Sequence, residues 1–234
     1  MKTIFILLLL PILAQAESYT FSGGANNLAH KIASEILTKA YNRSGITIKP
    51  LFLTLSDSLQ QSNAGITDGE IARIASITRF APNLRQVPVS IIQVQAIAYS
   101  KNKTLIINNW EDLRGHKLVI VKGAKFIEVG TANLERALVS TFDAALDLLQ
   151  QDKTEIIVIP KLAGINLIYK KKYHDIKAIS NSLQTLKLYH FVHKKNSHLI
   201  PVILPALKKM EKSGEIAFMR KAHLIKAANS LQNR

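Results

Sequence analysis

Glycine and a basic side chain follow an apolar segment of this chain where a strand is expected to end. Gly123, Ala124 and Lys125 come soon after the buried-type segment of residues 117–121. Free backbone N–H groups between a strand and a helix can bind an anion, and the Lys125 ammonium favours negative charge there. An ordinary turn between a strand and a helix also uses glycine, so both interpretations of this segment remain open.

A second pair of glycines, Gly23 and Gly24, follows the first expected strand at residues 19–21. Open α/β sheets bind ligands at the carboxyl ends of their strands, which makes this turn a candidate ligand contact. Turn formation alone would also explain the two glycines. Tyr19 and Tyr99 could provide stacking surfaces for a ligand, although each is also typical of an aromatic side chain in a core or at its rim.

The residues that would carry metal or enzyme chemistry are not arranged for it. His190 and His193 lie three apart on an expected strand and therefore face opposite sides, and the other five histidines are dispersed. No HExxH, Walker or GxSxG motif occurs. The absence of cysteine excludes disulfides, thiolate zinc sites and a cysteine nucleophile. We therefore expect no enzyme activity, no catalytic residue, no metal and no cofactor.

Strand-like and helical segments alternate along the chain without long structureless loops. This alternation predicts an α/β fold with largely parallel sheets. The expected strands are residues 19–21, 46–55, 87–99, 117–121, 155–159 and 186–193. The expected helices are residues 28–40, 56–64, 125–134, 142–149 and 199–210.

The N-terminus has the pattern of a secretory signal peptide. A basic start is followed by an apolar run over residues 4–13 and by the small residues Ala14 and Ala16. The apolar run is too short to cross a bilayer, which takes about 20 residues. We therefore expect residues 1–16 to be removed and the mature protein to be exported to the periplasm.

The composition is that of a folded but strongly basic protein. Of the 234 residues, 47% are hydrophobic and 20% are charged, which excludes disorder along most of the length. The net charge is +15, and residues 187–234 hold ten Lys or Arg against two Glu. This segment could bind anionic lipid headgroups or an acidic partner, but a solvated helical face is the simpler interpretation. A nucleic-acid partner is not expected, because the chain is exported and lacks interleaved aromatic residues.

The order of these segments resembles the type II periplasmic substrate-binding proteins. The specific resemblance is to the bacterial extracellular solute-binding protein family 3, which includes polar amino-acid binders of ABC transporters. It covers residues 18–225 and is strongest at residues 62–70 (SNAGITDGE), residues 110–118 (WEDLRGHKL) and residues 122–123 (KG).

The resemblance implies a two-lobed α/β fold with the ligand bound in the cleft between the lobes. Each lobe would be a mixed, mainly parallel sheet flanked by helices, and two crossing strands would form the hinge. Transferred to this chain, lobe 1 comprises residues 17–96 and 190–234, including the basic C-terminal helices. Lobe 2 comprises residues 97–189.

The resemblance also assigns roles within the cleft. In amino-acid binders an arginine near the position of Arg73 holds the ligand carboxylate, which suits the parallel donors of a guanidinium. Glu70 or Asp68 could instead pair with Arg73. The chain departs from the family where an acidic residue holds the α-ammonium, because Pro160 and Lys161 stand there. Since an unpaired ammonium is costly to bury, we expect a small anionic or neutral ligand.

The sequence thus predicts a monomeric periplasmic solute-binding protein that captures a small molecule for a transporter or a sensor. An inner-membrane permease or sensor would be its partner. The alternatives are a lyase-like periplasmic enzyme on the same fold and an interaction module that uses the basic C-terminal segment. The candidate ligand contacts are Tyr19, Gly23, Gly24, Arg73, Tyr99, Gly123, Ala124, Lys125 and Lys161.

Overall fold

Strands and helices alternate through most of the chain, as the sequence predicts. The computed structural model describes residues 18–232, and side chains as far as residue 225; the expected signal peptide lies outside the described residues. The strands are β1 (Ser18–Gly24), β2 (Thr47–Leu53), β3 (Gly69–Ile74), β4 (Leu84–Ser100), β5 (Leu118–Val121), β6 (Ala137–Val139), β7 (Ile156–Pro160), β8 (Lys177–Ala178) and β9 (Gln184–His193). The α-helices are α1 (Leu28–Asn42), α2 (Leu55–Ala64), α3 (Lys125–Gly130), α4 (Phe142–Gln150), α5 (Lys161–Lys170), α6 (Leu199–Lys212) and α7 (Glu215–Gln232).

The strands form one continuous sheet in the order β2-β1-β3-β9-β4-β7-β5-β6, with β8 paired to β4. At one end β1 is parallel to both β2 and β3, and at the other β5 is parallel to both β6 and β7. The first group belongs to lobe 1 and the second to lobe 2. The mixed α/β architecture expected from the sequence is therefore confirmed, although antiparallel pairings are as numerous as parallel ones.

The antiparallel strands β4 and β9 connect the two lobes. β4 is 17 residues long and pairs with β9 along much of its length, whereas its second half also pairs with β7 of lobe 2. β9 pairs with β3 of lobe 1. The register between β4 and β9 shifts on both sides of Ser90, so the ladder is irregular there. These are the two crossing strands that the resemblance implies.

Helix α1 shows how local sequence determines an element that borders the cleft. The Asn27 side chain accepts hydrogen bonds from the backbone N–H groups of Ala29 and His30, which caps the helix. Ile32 and Ile36 lie four residues apart on the inner face and are fully buried. Burial of each such side chain contributes about 1.5–3 kcal/mol, so packing of this face holds the helix in place.

Helices α3 and α5 differ from the sequence-based expectation, and each contains a glycine that lies against a distant aromatic ring. Helix α3 ends at Gly130 and not at residue 134; a Cβ at Gly130 would overlap the Trp110 ring. Helix α5 was not predicted, and it begins directly after Pro160. It contains Gly164, where a Cβ would overlap the Tyr99 hydroxyl. Glycine is a poor helix former, and the tertiary contact that requires it is not visible in the local sequence.

The C-terminal helix α7 is attached to both α1 and the hinge. Glu215, at its start, pairs with Lys39 and Arg43 of α1 at 2.7 Å each. The Arg220 guanidinium donates to the carbonyl oxygens of Ser90 and Ile91, which lie at the register shift of β4. In the described part of the chain, no helix combines the length and apolar character needed to cross a membrane.

Candidate functional site

A small cavity lies between the lobes, where strands of both lobes reach their carboxyl ends. Its volume is about 40 Å³, which is room for about two or three water molecules. Both crossing strands contribute to its floor. The polar or charged lining residues are Asn27, His30, Arg73 and Lys125. The other lining residues are Ala29, Leu55, Ala72, Ile74, Ile77, Val94, Gly123, Ala124, Phe126, Pro160 and Leu188.

The Arg73 guanidinium crosses this cavity and connects the two lobes. Its Nη2 donates to the Leu55 carbonyl oxygen at 2.7 Å and to Glu70 Oε1 at 2.9 Å, both in lobe 1. Its Nη1 donates to the Gly123 carbonyl oxygen of lobe 2 at 3.1 Å. In this conformation Arg73 therefore pairs with Glu70, one of the two acidic partners considered from the sequence, and also bridges the cleft.

The other acidic candidate, Asp68, has a different set of partners. Its carboxylate accepts hydrogen bonds from the Thr20 backbone N–H at 2.7 Å and from the Asn196 side chain at 2.8 Å. Lys195 Nζ lies 3.4 Å from the same carboxylate. Asp68 thus ties β1 to the segment after β9 and leaves Glu70 as the counter-ion of Arg73.

Glu70 is fully buried beneath the cavity. Its Oε1 accepts hydrogen bonds from the Ser58 and Ser62 hydroxyls at 2.9 and 3.2 Å in addition to the Arg73 bond. Burial raises the pKa of Glu70 above its ordinary value, while Arg73 and the two serines oppose this effect. Because Glu70 compensates the Arg73 charge, an acceptor need not be fully charged to bind at this guanidinium.

His30 supplies a neutral donor at the cavity. The Gly24 backbone N–H donates to His30 Nδ1 at 2.8 Å, so this nitrogen carries no proton. Burial and the nearby Arg73 charge lower the pKa of His30 to about 3, which keeps the imidazole neutral near pH 7. The proton therefore resides on Nε2, and Nε2–H is the ring's available hydrogen-bond donor.

Backbone segments of the two lobes touch at Gly123. Its φ is +90°, and a Cβ there would lie 2.5 Å from the Ser56 nitrogen and 2.6 Å from the Leu55 carbonyl carbon. Only glycine combines this conformation with this approach. Lys125 Nζ also lies 5.2 Å from the centroid of the Phe80 ring across the cleft. The lobes are therefore closed against each other.

The anion site expected at Gly123 to Lys125 is engaged by a carboxylate of the chain itself. The Gly123 backbone N–H donates to Glu128 Oε1 at 2.5 Å, and Lys125 Nζ contacts Glu128 Oε2 at 2.5 Å. The donors expected from the sequence thus do hold an anion, and that anion is Glu128. Ala124 lines the cavity beside them.

The remaining candidates lie around the cavity without lining it. Gly23 and Gly24 allow close packing, because a Cβ would meet His30 at the first and Leu55 at the second. A hydrogen bond of 3.2 Å links the Tyr19 hydroxyl to the ring of His198, outside the cleft. The Tyr99 hydroxyl donates to the Lys161 carbonyl oxygen at 3.3 Å, and neither of these residues is part of the cavity lining.

The sequence-based candidates did not include two residues of the site, His30 and Glu128. His30 follows Gly24 by six residues and lies on the apolar face of α1, where a polar residue is a detectable signal. Glu128 lies three residues after Lys125, the spacing of an ion pair within a helix. Its contact with the Gly123 N–H depends on the turn geometry, for which the sequence offers no comparable signal.

Comparisons with known proteins support the fold. No family model matches the chain. A protein of Shewanella frigidimarina (strain NCIMB 400) described as "Putative sensor protein" is 23% identical over 231 residues. The match covers 92% of this chain and 34% of that protein, so the chain spans about a third of the length of this curated relative.

Solved structures with the same architecture cover nearly the whole chain. A histidine kinase sensor domain similar to periplasmic binding proteins matches with a TM-score of 0.78 and 16% identity, over 89% of this chain and 96% of that one. A histidine-bound ABC transporter substrate-binding protein of Streptococcus pneumoniae matches with a TM-score of 0.72 and 16% identity, over 88% of this chain and 91% of that one. The P235GK mutant of ArgBP from T. maritima matches with a TM-score of 0.72 and 15% identity, over 88% of this chain and 95% of that one. The chain therefore has the two-lobed fold of the periplasmic binding proteins, as its sequence predicted.

Proposed function

We propose that this chain is a periplasmic ligand-binding protein or domain whose lobes close over a small neutral or anionic molecule. Binding would either signal through a sensor or deliver the ligand to a transporter. The observation that carries the proposal is the Arg73 guanidinium, which is fixed in lobe 1 and reaches the Gly123 carbonyl of lobe 2. A ligand oxygen can take the place of that carbonyl when the lobes separate.

The donors around the cavity support this choice of ligand class. If the cleft opens, Arg73 Nη1 loses its partner in lobe 2, while Nη2 stays bound to Leu55 and Glu70 of lobe 1. Nη1 and the His30 Nε2–H would then offer hydrogen bonds to acceptor oxygens. No carboxylate is among the described residues that line the cavity, so a ligand ammonium would have no counter-ion. A carboxylate or carbonyl compound fits this site better than a zwitterionic amino acid does.

The relatives favour a sensor role without excluding transport. The curated relative is described as a sensor protein, and one structural neighbour is a histidine kinase sensor domain, whereas another belongs to an ABC uptake transporter. We therefore place an inner-membrane sensor first and a permease second as the partner. Removal of residues 1–16, a monomeric state and lobe limits at residues 96/97 and 189/190 belong to the same proposal.

Binding without turnover is the activity that this site supports. His30 is held neutral by its burial, and Glu70 is sealed beneath Arg73 and two serines. Neither group is placed to exchange protons with a bound molecule. We therefore propose a receptor that releases its ligand unchanged in preference to a lyase-like enzyme.

Calorimetric titration with matched ligands tests the proposal. The panel consists of small mono- and dicarboxylates, their neutral amides and the standard amino acids. The Glu70→Gln/Arg73→Met double variant removes both buried charges together, which avoids leaving one of them unpaired. Loss of the charged donor should weaken binding roughly tenfold to a hundredfold. The control Arg79→Gln removes an exposed charge outside the cavity and should bind like the wild type.

Two results would overturn the proposal. The first is tight binding of a standard amino acid with no binding of carboxylates or amides. The second is unchanged affinity in the double variant, which would show that the ligand does not use Arg73. In addition, consumption of a panel member would show that the protein acts as an enzyme and not as a receptor.

A further inference from the structure

A second and larger cavity lies beside the hinge, adjacent to the interlobe cavity. Its volume is about 340 Å³, against about 40 Å³ between the closed lobes. Pockets that bind small molecules commonly begin at about 300 Å³. Ala29, Val94 and Pro160 line both cavities and form the boundary between them. The second cavity can therefore hold an organic molecule while the lobes are closed.

Two cationic side chains of this cavity have no carboxylate partner among the residues whose side chains the structure describes. Lys161, the first residue of α5, and Arg220 of α7 both belong to the lining. Among residues 18–225, whose side chains the structure describes, no acidic group lies within 4.0 Å of either cation. Glu35, on the α1 side, is bound to His223 at 2.8 Å.

Arg220 is held in place while part of its guanidinium stays available. Its Nε donates to the Ile91 carbonyl oxygen at 2.5 Å and its Nη2 to the Ser90 carbonyl oxygen at 2.7 Å. No acceptor among the described residues engages Nη1. Burial lowers the pKa of Arg220, and the more distant Glu211 only partly opposes this effect. A fixed, half-buried guanidinium without a counter-ion favours an anion.

The rest of the lining is apolar or neutral. Leu162 is half-buried, and Leu224 is 39% exposed at the cavity. Gln93 and Gln95 of β4 add neutral amides. An inorganic anion would leave the leucine surface unused, whereas an organic acid would cover it and gain about 25 cal/mol for each Å² removed from water.

We propose that this second cavity binds a small organic carboxylate, with its apolar part against Leu162 and Leu224 and its carboxylate facing Lys161 and Arg220. The sequence predicted Lys161 as an anion contact, and the structure places it here and not in the interlobe cavity. The lining joins lobe 1, the hinge strand β4, the start of α5 in lobe 2 and α7. Occupancy is therefore coupled to lobe closure and to the position of α7, and each affects the other reciprocally.

Calorimetric titration with phenylacetate tests the proposal, and phenylacetamide serves as the neutral isostere. The wild type should bind phenylacetate at millimolar concentration or below and phenylacetamide at least tenfold more weakly. Lys161→Gln should weaken phenylacetate binding roughly tenfold, because it removes one charged contact. The matched control is Lys170→Gln, which removes an exposed charge from the other end of α5 and should change the affinity less than twofold.

Two further variants distinguish this cavity from the cleft. Leu224→Trp should weaken phenylacetate binding at least tenfold, because the indole would take the space proposed for the phenyl ring beside residue 224. The Glu70→Gln/Arg73→Met variant should still bind phenylacetate, because neither residue lines the second cavity. Three results would each overturn the proposal. They are absence of binding to the wild type, equal affinity in Lys161→Gln, and loss of binding in the double variant with retention in Leu224→Trp. Because the two variants alter different cavities, their results separate phenylacetate binding here from binding in the interlobe cleft.

Discussion

Replacing Gly123 with alanine should hold the two lobes apart. The new Cβ would lie 2.5 Å from the Ser56 nitrogen and 2.8 Å from the Leu55 Cβ if the closed arrangement were kept. These atoms belong to backbone and to a packed side chain at the start of α2, so they cannot move aside as the end of a flexible side chain could. Opening of the cleft is the simplest way to relieve the overlap.

The size of the effect follows from the contact that the closed form loses. With alanine at this position the close approach is blocked, so the closed form can no longer make the 3.1 Å bond from Arg73 Nη1 to the Gly123 carbonyl oxygen. A hydrogen bond to a charged group contributes about 1.5–3 kcal/mol, which corresponds to a roughly ten- to hundredfold shift towards the open form. The positive φ of +90° adds strain to both forms, so it lowers overall stability without favouring either.

Small-angle X-ray scattering of the ligand-free protein measures this shift. Gly123→Ala should show a larger radius of gyration than the wild type. The matched control is Gly115→Ala, which has a similar φ of +82° but no atom within 4 Å of the added Cβ. It carries the same kind of backbone strain without the contact between lobes and should scatter like the wild type. Identical scattering from all three proteins would refute the assignment of Gly123 as the closure contact.

Three further predictions concern buried and paired charges. Arg73→Met should lower the free energy of unfolding in urea by about 3–5 kcal/mol near neutral pH, because Glu70 loses its counter-ion. Adding Glu70→Gln should restore most of the lost free energy. Absence of this recovery would contradict the pairing. Burial lowers the pKa of His30 to about 3 and of His190 to about 4, so the folded chain leaves both neutral while the unfolded chain protonates them near pH 6.5. Stability should therefore fall below pH 6.5, by about 1.4 kcal/mol per pH unit for each histidine, and His190→Asn should reduce that slope in pH-dependent urea unfolding. Hydrogen bonds and ion pairs with its two basic partners at the end of α1 lower the pKa of Glu215 to about 2. The stabilising effect of Glu215 is therefore present above pH 4.5 and is lost as the pH falls through 2. Glu215→Gln and high salt should both weaken this acid-induced loss of stability.

Local rules of sequence predicted much of the fold. Helix α1 begins close to its expected start, directly after Asn27, whose side chain accepts the N–H groups of Ala29 and His30. The apolar positions of this helix repeat at helical spacing and are buried together. These features depend on residues a few positions apart, and for this reason the sequence alone was sufficient.

The arrangement of the site depends on contacts between distant segments, which the sequence does not reveal. Arg73 was recognised as a cleft residue, but its attachment to Leu55 and Gly123 requires the lobes to be in place. The Gly123 turn was expected to attract an anion, and the competing Glu128 carboxylate was overlooked. Arg220 reaches Ile91 across 129 residues, so the cavity beside the hinge had no local signature.

A thermal-shift measurement on Leu224→Trp tests ligand binding in the interlobe cleft most directly, because this substitution obstructs the second cavity and leaves the cleft as the site to be probed. Ligand at about 100 times its dissociation constant adds about 2.7 kcal/mol of stability. For a chain of this size that corresponds to a rise in Tm of roughly 5–11 °C. We expect such a rise with a small carboxylate or neutral carbonyl compound, and its loss when Glu70→Gln/Arg73→Met is added. A rise with standard amino acids alone, or one that persists without Arg73, would contradict the proposed ligand site.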